Sequence, residues 1–291
     1  MKAIKLASVF AVSAVAAAVS TATFAADAII TGEAGVEYTS YSNDGKGDRA
    51  DGTDLGELEL HVDTGIVYAE LEFKANGGTA QDGESVTTGI EKLYVKQGAV
   101  SFGRFDGTVA TGSFMGMDEI YGGVDLKTAT GDTDNTGVRY KVTPELTVAL
   151  EATESNGKED SDIGVALSYV KNFGFIKAGI SGGAVGDANA VNVGMQTVSG
   201  PFTVSLNYGV GEKGTGTTTD VEQMTSSFAF AATDALTLTL EYSNDLEKEQ
   251  GGTYFIGEYE AGDLTYYVKN YNGDLVGTAS ERTIVGVKTF F

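Results

Sequence analysis

The chain of 291 residues contains no cysteine and no tryptophan, two prolines and a single histidine, His61. Without cysteine it builds neither a disulfide framework nor a thiolate metal cluster. Nineteen basic residues against 41 acidic ones give a net charge of −22, which excludes a nucleic-acid-binding surface. The scarcity of proline suits a sheet whose N–H groups must all pair. After the first two dozen residues, no apolar run approaches the length of a spanning helix. No apolar period of 3.6 residues appears beyond that point either.

What the chain does have begins with Lys2 and Lys5, an apolar run over residues 6–19, and Thr21-Ala22-Thr23-Phe24-Ala25. A basic start, a short apolar core and small residues at a cleavage point describe a secretory signal peptide, residues 1–25. The mature chain, 26–291, shows no linker and reads as one domain. Glycine is abundant at 40 residues, with 14 Tyr and 14 Phe. Mean hydropathy is near zero. That value fits a soluble protein, and equally a transmembrane barrel in which only alternate residues face lipid.

Period-two alternation recurs from segment to segment. Leu236-Thr237-Leu238-Thr239-Leu240-Glu241-Tyr242 puts Leu and Tyr on one face and Thr and Glu on the other, and Val67-Tyr68-Ala69-Glu70-Leu71-Glu72-Phe73 follows the same scheme. The alternation yields about sixteen strands of roughly ten residues, as membrane strands require. Their connections alternate between tight turns, such as Gln97-Gly98 and Ser199-Gly200, and longer polar loops. A soluble β-sandwich has the same period, but the short–long alternation and a final strand ending in Phe291 favour an all-β, closed antiparallel transmembrane barrel. One segment has no period. It follows Ser101-Phe102-Gly103-Arg104-Phe105-Asp106 and runs to about residue 133. A connection of this length in a compact domain is usually functional, and its Phe114, Met115, Met117 and Tyr121 give it apolar groups to bury. We expect it to fold inward and narrow a pore.

The signal peptide, Gly103-Arg104-Phe105-Asp106 before the long loop, Gly137-Val138-Arg139-Tyr140 after it, and the terminal Phe291 together resemble the general porins of Gram-negative outer membranes. The resemblance implies a sixteen-stranded homotrimer whose third long loop enters the lumen, set among outer-membrane lipid and lipopolysaccharide. It also implies that the last strand and Phe291 are read by the outer-membrane assembly machinery. It further implies an arginine cluster on the wall facing acids on the loop, with Arg104 and Arg139 matching the wall and Asp118 and Glu119 the loop. Two departures weaken that basic wall. Glu57, Glu59 and His61 stand where an arginine is common, and Asp132-Thr133-Asp134 stands where another often precedes Arg139.

With Leu, Val and Phe facing lipid, the alternate set lines the lumen. The expected constriction then has Arg104, Arg139, Lys141 and Lys74 on its basic side. Asp106, Asp118, Glu119 and Asp125 form the acidic side, with Glu57, Glu59, Glu70 and Glu72 as further lumen acids. Acid in loops and mouth attracts small cations and repels anions. The function expected is a passive channel for small hydrophilic solutes with a weak cation preference. Alternatives are an oligosaccharide channel with Tyr68, Tyr94, Tyr254 and Tyr267 as a sugar slide, or a plugged structural barrel. Around Arg104 the alternation slips, since Val100 and Phe102 share its phase, and a bulge or bend is expected there. Tyr38, Tyr140, Tyr169, Tyr208, Tyr242 and Phe291 are candidates for interfacial girdles. Gly179-x-Ser181-x-Gly183 matches a nucleophile elbow, but a hydrolase needs Ser181 beside His61. No cofactor is required; weak Ca²⁺ at Asp132 and Asp134 is the one metal expectation, although the loop lacks its closing Glu.

Overall fold

The computed structural model describes residues 28–42, 57–75, 86–113, 115–117, 119–128, 131–132, 136–152, 162–214, 218–277 and 280–291. The expected signal peptide, Asp118 and Asp134 lie outside the described residues, as do the side chains of Glu57, Lys74 and Asp132.

The strands before the long loop are β1 (Ile29–Tyr41), β2 (Glu57–Asp63), β3 (Val67–Ala75), β4 (Val86–Gln97) and β5 (Val100–Arg104). The loop carries a small ribbon, β6 (Lys127–Thr128) with β7 (Gly131–Asp132). After it come β8 (Thr136–Lys141), β9 (Leu146–Ala152), β10 (Ile163–Asn172), β11 (Ile176–Val185), β12 (Ala188–Ser199) and β13 (Phe202–Lys213). The chain finishes with β14 (Thr219–Ala231), β15 (Leu236–Asp245), β16 (Gln250–Ala261), β17 (Leu264–Gly273) and β18 (Arg282–Phe290). All except β6 and β7 form one closed antiparallel barrel of sixteen strands in chain order, with β5 paired to β8 and β1 to β18.

The period-two pattern becomes an inverted surface. Val165, Leu167, Val193, Leu206, Phe228, Leu240 and Val285 stand exposed on the outside. Glu37, Glu70, Asn192, Asn207, Thr225 and Glu241 are buried within. A soluble sandwich would do the reverse. An apolar outer face with every strand paired on both sides is the arrangement that satisfies the backbone where no water is available. Tyr38, Tyr140, Tyr208 and Tyr242 are exposed on this outer phase, as are Tyr259 and Tyr266.

Tight turns gather at one rim. Gly65, Gly98, Gly174, Gly200 and Gly262 all have positive φ there, a conformation that costs glycine little. The opposite rim holds the longer connections, with a departure from the expected alternation at two hairpins: β11 and β12 are joined through Gly186-Asp187 alone, and β15 and β16 through residues 246–249. A second departure concerns length. β5 has 5 residues and β8 has 6, well short of ten, because the chain leaves the wall after Arg104 to enter the lumen. The seam closes at the chain's end. Gly32 N donates to Phe291 O at 2.7 Å and Phe291 N to Gly32 O at 3.0 Å, and the Phe291 ring lies over Gly32, where a Cβ would meet it at 2.7 Å.

Deleting Phe291 removes both seam bonds, each worth about 1 kcal/mol. The barrel's midpoint in thermal unfolding followed by circular dichroism is expected to fall, and an unchanged midpoint would dismiss the seam's role.

Candidate functional site

The long loop departs at Gly103, whose φ is +146. A Cβ at this position would stand 2.3 Å from Leu93 O, so no side chain fits. The loop then crosses the interior and seats on the inner wall of β9 to β15. Val109, Ala110, Val124 and Leu126 pack on Ala149, Ala166, Val185, Ala188 and Ala190. Gly183 makes room beneath them, since a Cβ there would stand 3.0 Å from Leu126 Cδ2 and 3.1 Å from Ala110 Cβ. Met115 and Met117 are also buried.

Polar side chains of the wall hold the loop's backbone, which has no ladder of its own there. Asn192 Oδ1 accepts from Val124 N at 2.8 Å while its Nδ2 donates to Val124 O at 2.7 Å, imitating a strand partner. Asn207 Nδ2 donates to Gly112 O and to Gly122 O, Ser181 Oγ to Thr111 O, and Thr225 Oγ1 to Tyr121 O. Glu151 accepts from Thr108 Oγ1 at 2.5 Å and Val109 N at 2.7 Å. Buried backbone groups left unpaired are costly, so these wall residues determine where the loop lies. Their signature was present in the sequence: the inner phase of β12 is Ala188, Ala190, Asn192, Gly194 and Gln196, small and uncharged. A lumen wall without charge implies a cover.

In the closed order, β2 stands eight strands from β12, so the loop's seat faces the inner wall around β2. There Glu59, His61, Glu70 and Lys92 converge. Lys92 Nζ is 2.6 Å from Glu70 Oε1 and 3.7 Å from Asp106 Oδ2. Further round, Lys288 lies 3.3 Å from Glu33, and Tyr267 donates to Glu37 at 2.9 Å. Tyr68, Tyr94 and Phe105 form a run, with ring centroids 5.0 and 4.8 Å apart. Tyr254 and Tyr271 form a second, 4.9 Å apart. The four tyrosines expected on separated strands fall into two groups: register places Tyr68 opposite Tyr94, and Tyr254 and Tyr267 share one buried cluster with Tyr271, which register places opposite Tyr254.

The expected site residues divide. Arg139 is on the inner wall, where Nη2 donates to Gly107 O at 2.7 Å and the guanidinium lies 4.1 Å from the Phe105 centroid. It braces the base of the loop. Arg104 is a correction: register pairs it with Leu93, and Phe102 with Val95, all on the outer phase. β5 keeps its pairing; the irregularity lies on the β3–β4 pair at Glu70/Leu71, leaving Glu91 as the extra residue. Arg104 Nε donates to the Glu91 carbonyl at 3.1 Å, so it caps this bulge from outside instead of lining the lumen. Lys141 is on the inner phase, exposed beside the tight turn. Among the acids, Asp106 is exposed beside Lys92, while Glu119 accepts from Tyr271 Oη at 2.7 Å. Asp125 ties the loop to itself, accepting from Thr111 Oγ1 at 2.7 Å and Gly112 N at 3.0 Å. Glu59 and Glu72 share the inner phase with Glu70, and register pairs them with each other. Ser181 and His61 stand on opposite walls, on β11 and β2, so no nucleophile–base pair forms between them.

No protein-family profile and no curated protein matches the chain. Solved structures do match its shape. OmpF of Salmonella typhi, in complex with daunomycin, superposes with a TM-score of 0.66 at 10% identity, over 91% of this chain and 97% of that one. A triple mutant of the Rhodopseudomonas blastica porin gives 0.58 at 15% identity, over 91% and 100%. The outer membrane channel DcaP of Acinetobacter baumannii gives 0.59 at 15%, over 93% and 100%. The fold is that of the outer-membrane porins.

Replacing Asn192 by Ala orphans both backbone groups of Val124, at about 1–3 kcal/mol each. The loop is expected to become several-fold more sensitive to limited proteolysis while the barrel stays folded. Equal cleavage rates would show that Asn192 does not hold it.

Proposed function

We propose that the protein is a general diffusion porin of a Gram-negative outer membrane, a passive water-filled channel for small hydrophilic solutes and ions with a weak cation preference. The observation that carries this reading is the loop seated on one inner wall and facing a charged wall across the barrel. Such a segment narrows an aqueous path without closing the ring around it. Export by the expected signal peptide, assembly guided by the strand that ends in Phe291, and a homotrimer in lipid and lipopolysaccharide belong to the same reading. No catalytic role is assigned.

The cation preference rests on which charges remain available. Arg139 is engaged with the loop base and Arg104 points outward, so the basic wall is thin. Glu59, Glu70, Glu72 and Asp106 lie on the wall around Lys92, Glu119 stands further round at Tyr271, and together they supply an excess of acid that attracts cations. The sugar-slide alternative needs open ring faces. Tyr68, Tyr94 and Phe105 instead cover one another, which favours the unspecific channel.

Single-channel recording of the refolded protein in a planar bilayer under a KCl gradient tests the proposal. Large, unsaturable steps with a cation-positive reversal potential are expected. The double variant Asp118→Asn/Glu119→Gln should lower the cation-to-anion permeability ratio by roughly an order of magnitude before screening, since each of the two unit charges removed contributes about 0.6 kcal/mol at about 7 Å in water. Block by maltooligosaccharides would favour the sugar channel. A barrel that migrates as folded on a gel yet passes no current would overturn the porin reading.

A further inference from the structure

The inner wall of β2 and β3 holds a cluster that does not seat the loop. Alternation on β2 puts Glu59 and His61, the chain's single histidine, on the inner face two residues apart. Register then brings Glu70 of β3 directly opposite His61. His61 Nε2 lies 3.3 Å from Glu59 Oε2 and 3.6 Å from Glu70 Oε2, and the three donor atoms all fall within 4.8 Å of one another. Nitrogen and oxygen ligands about 2.0–2.2 Å from one tetrahedral ion stand about 3.4 Å apart. Both contacts of His61 are close to that edge.

The surroundings suit an ion as well. The Glu70 side chain is only 6% exposed and both its oxygens are oriented: Lys92 Nζ holds Oε1 at 2.6 Å, and Tyr68 Oη donates to Oε2 at 2.9 Å. Glu91 also shares a side-chain hydrogen bond with Glu70, and Oε2 lies on the His61 side of the carboxylate, 3.6 Å from Nε2. Such outer hydrogen bonds are what orient ligands at metal sites. His61 and Glu59 are partly open, with side chains 32% and 26% exposed, which leaves a further position for lumen water. Carboxylates also exceed cations here, since Glu72 and Glu91 flank the cluster and Lys92 is the cation bound within it.

We propose that Glu59, His61 and Glu70 bind one divalent transition-metal ion of the zinc type on the inner wall facing the loop. An imidazole among carboxylates suits Zn²⁺, Ni²⁺ or Cu²⁺, whereas Ca²⁺ and Mg²⁺ take oxygen ligands alone. The bound ion adds two positive charges to the acidic side of the passage and so reduces its attraction for cations. The site rests on the fold and not on conduction, so binding is measured separately from current.

Isothermal titration of the refolded full chain with ZnCl2 is the test. One ion per chain is expected. Binding should weaken about 100-fold in His61→Ala and in Glu70→Gln, about 10-fold in Tyr68→Phe, where an outer hydrogen bond is lost, and not at all in the rim variant Glu145→Gln. Excess CaCl2 should leave the titration unchanged. In bilayers Zn²⁺ should lower the cation preference of the wild type and not of His61→Ala. His61→Gln, checked as folded by gel mobility, stands in wherever His61→Ala fails to assemble. Absence of zinc binding, or equal binding by wild type and the His61 variants, overturns the site and leaves His61 as a polar neighbour of the two glutamates.

Discussion

Everything in this structure hangs on a hydrogen-bonded ring that has no free edge. Each barrel strand pairs with the next in sequence, and the ends of the chain meet where Gly32 and Phe291 exchange backbone bonds. An open sheet would present unpaired N–H and C=O groups to an apolar outer environment, at several kcal/mol per group. Closure removes that cost and turns the polar phase of every strand inward. The lumen is thus a consequence of pairing the backbone, and the apolar exterior with its tyrosines follows from the same alternation.

An interior lined by polar groups must be filled by water or by chain. Over β9 to β15 it is filled by chain. The inner phase there is small and largely uncharged, and the loop brings Val109, Ala110, Val124 and Leu126 to it. Asn192 and Asn207 replace the strand partners that the loop's backbone lacks. On the facing wall the inner phase is charged, and no apolar segment can settle on it without stranding those charges. The asymmetry between the two walls is therefore what keeps the loop to one side. A charged passage and a metal-type cluster share the remaining wall because both need side chains that the loop does not cover.

Several individual roles escaped the sequence for identifiable reasons. Arg104 resembles a lumen arginine by motif, yet the register of five residues in β5 turns it outward, and a one-residue shift in phase reverses a side chain's face. The local slip was visible around Val100 and Phe102; that the extra residue sits on the neighbouring strand, at Glu91, was not. Glu151 looks like any lumen acid until the loop arrives to be bound by it. Asp125 looks like a constriction acid, but its carboxylate is occupied by the loop's own Thr111 and Gly112. His61 stood with Glu57 and Glu59 where an arginine is common, and only cross-strand pairing with Glu70 makes it part of a cluster.

By itself the sequence determined the strands, their number, the apolar face that most of them turn outward and the existence of one unusual loop. These are local properties: a period of two, turn residues of positive φ and a segment with no period are all read within a dozen residues. The tertiary structure alone decided which wall the loop rests on, which charges it leaves facing the passage and which donors come within bonding distance of one another. Those depend on register between strands and on contacts between residues as far apart as Tyr121 and Ser243, and no local pattern specifies a pairing across that separation.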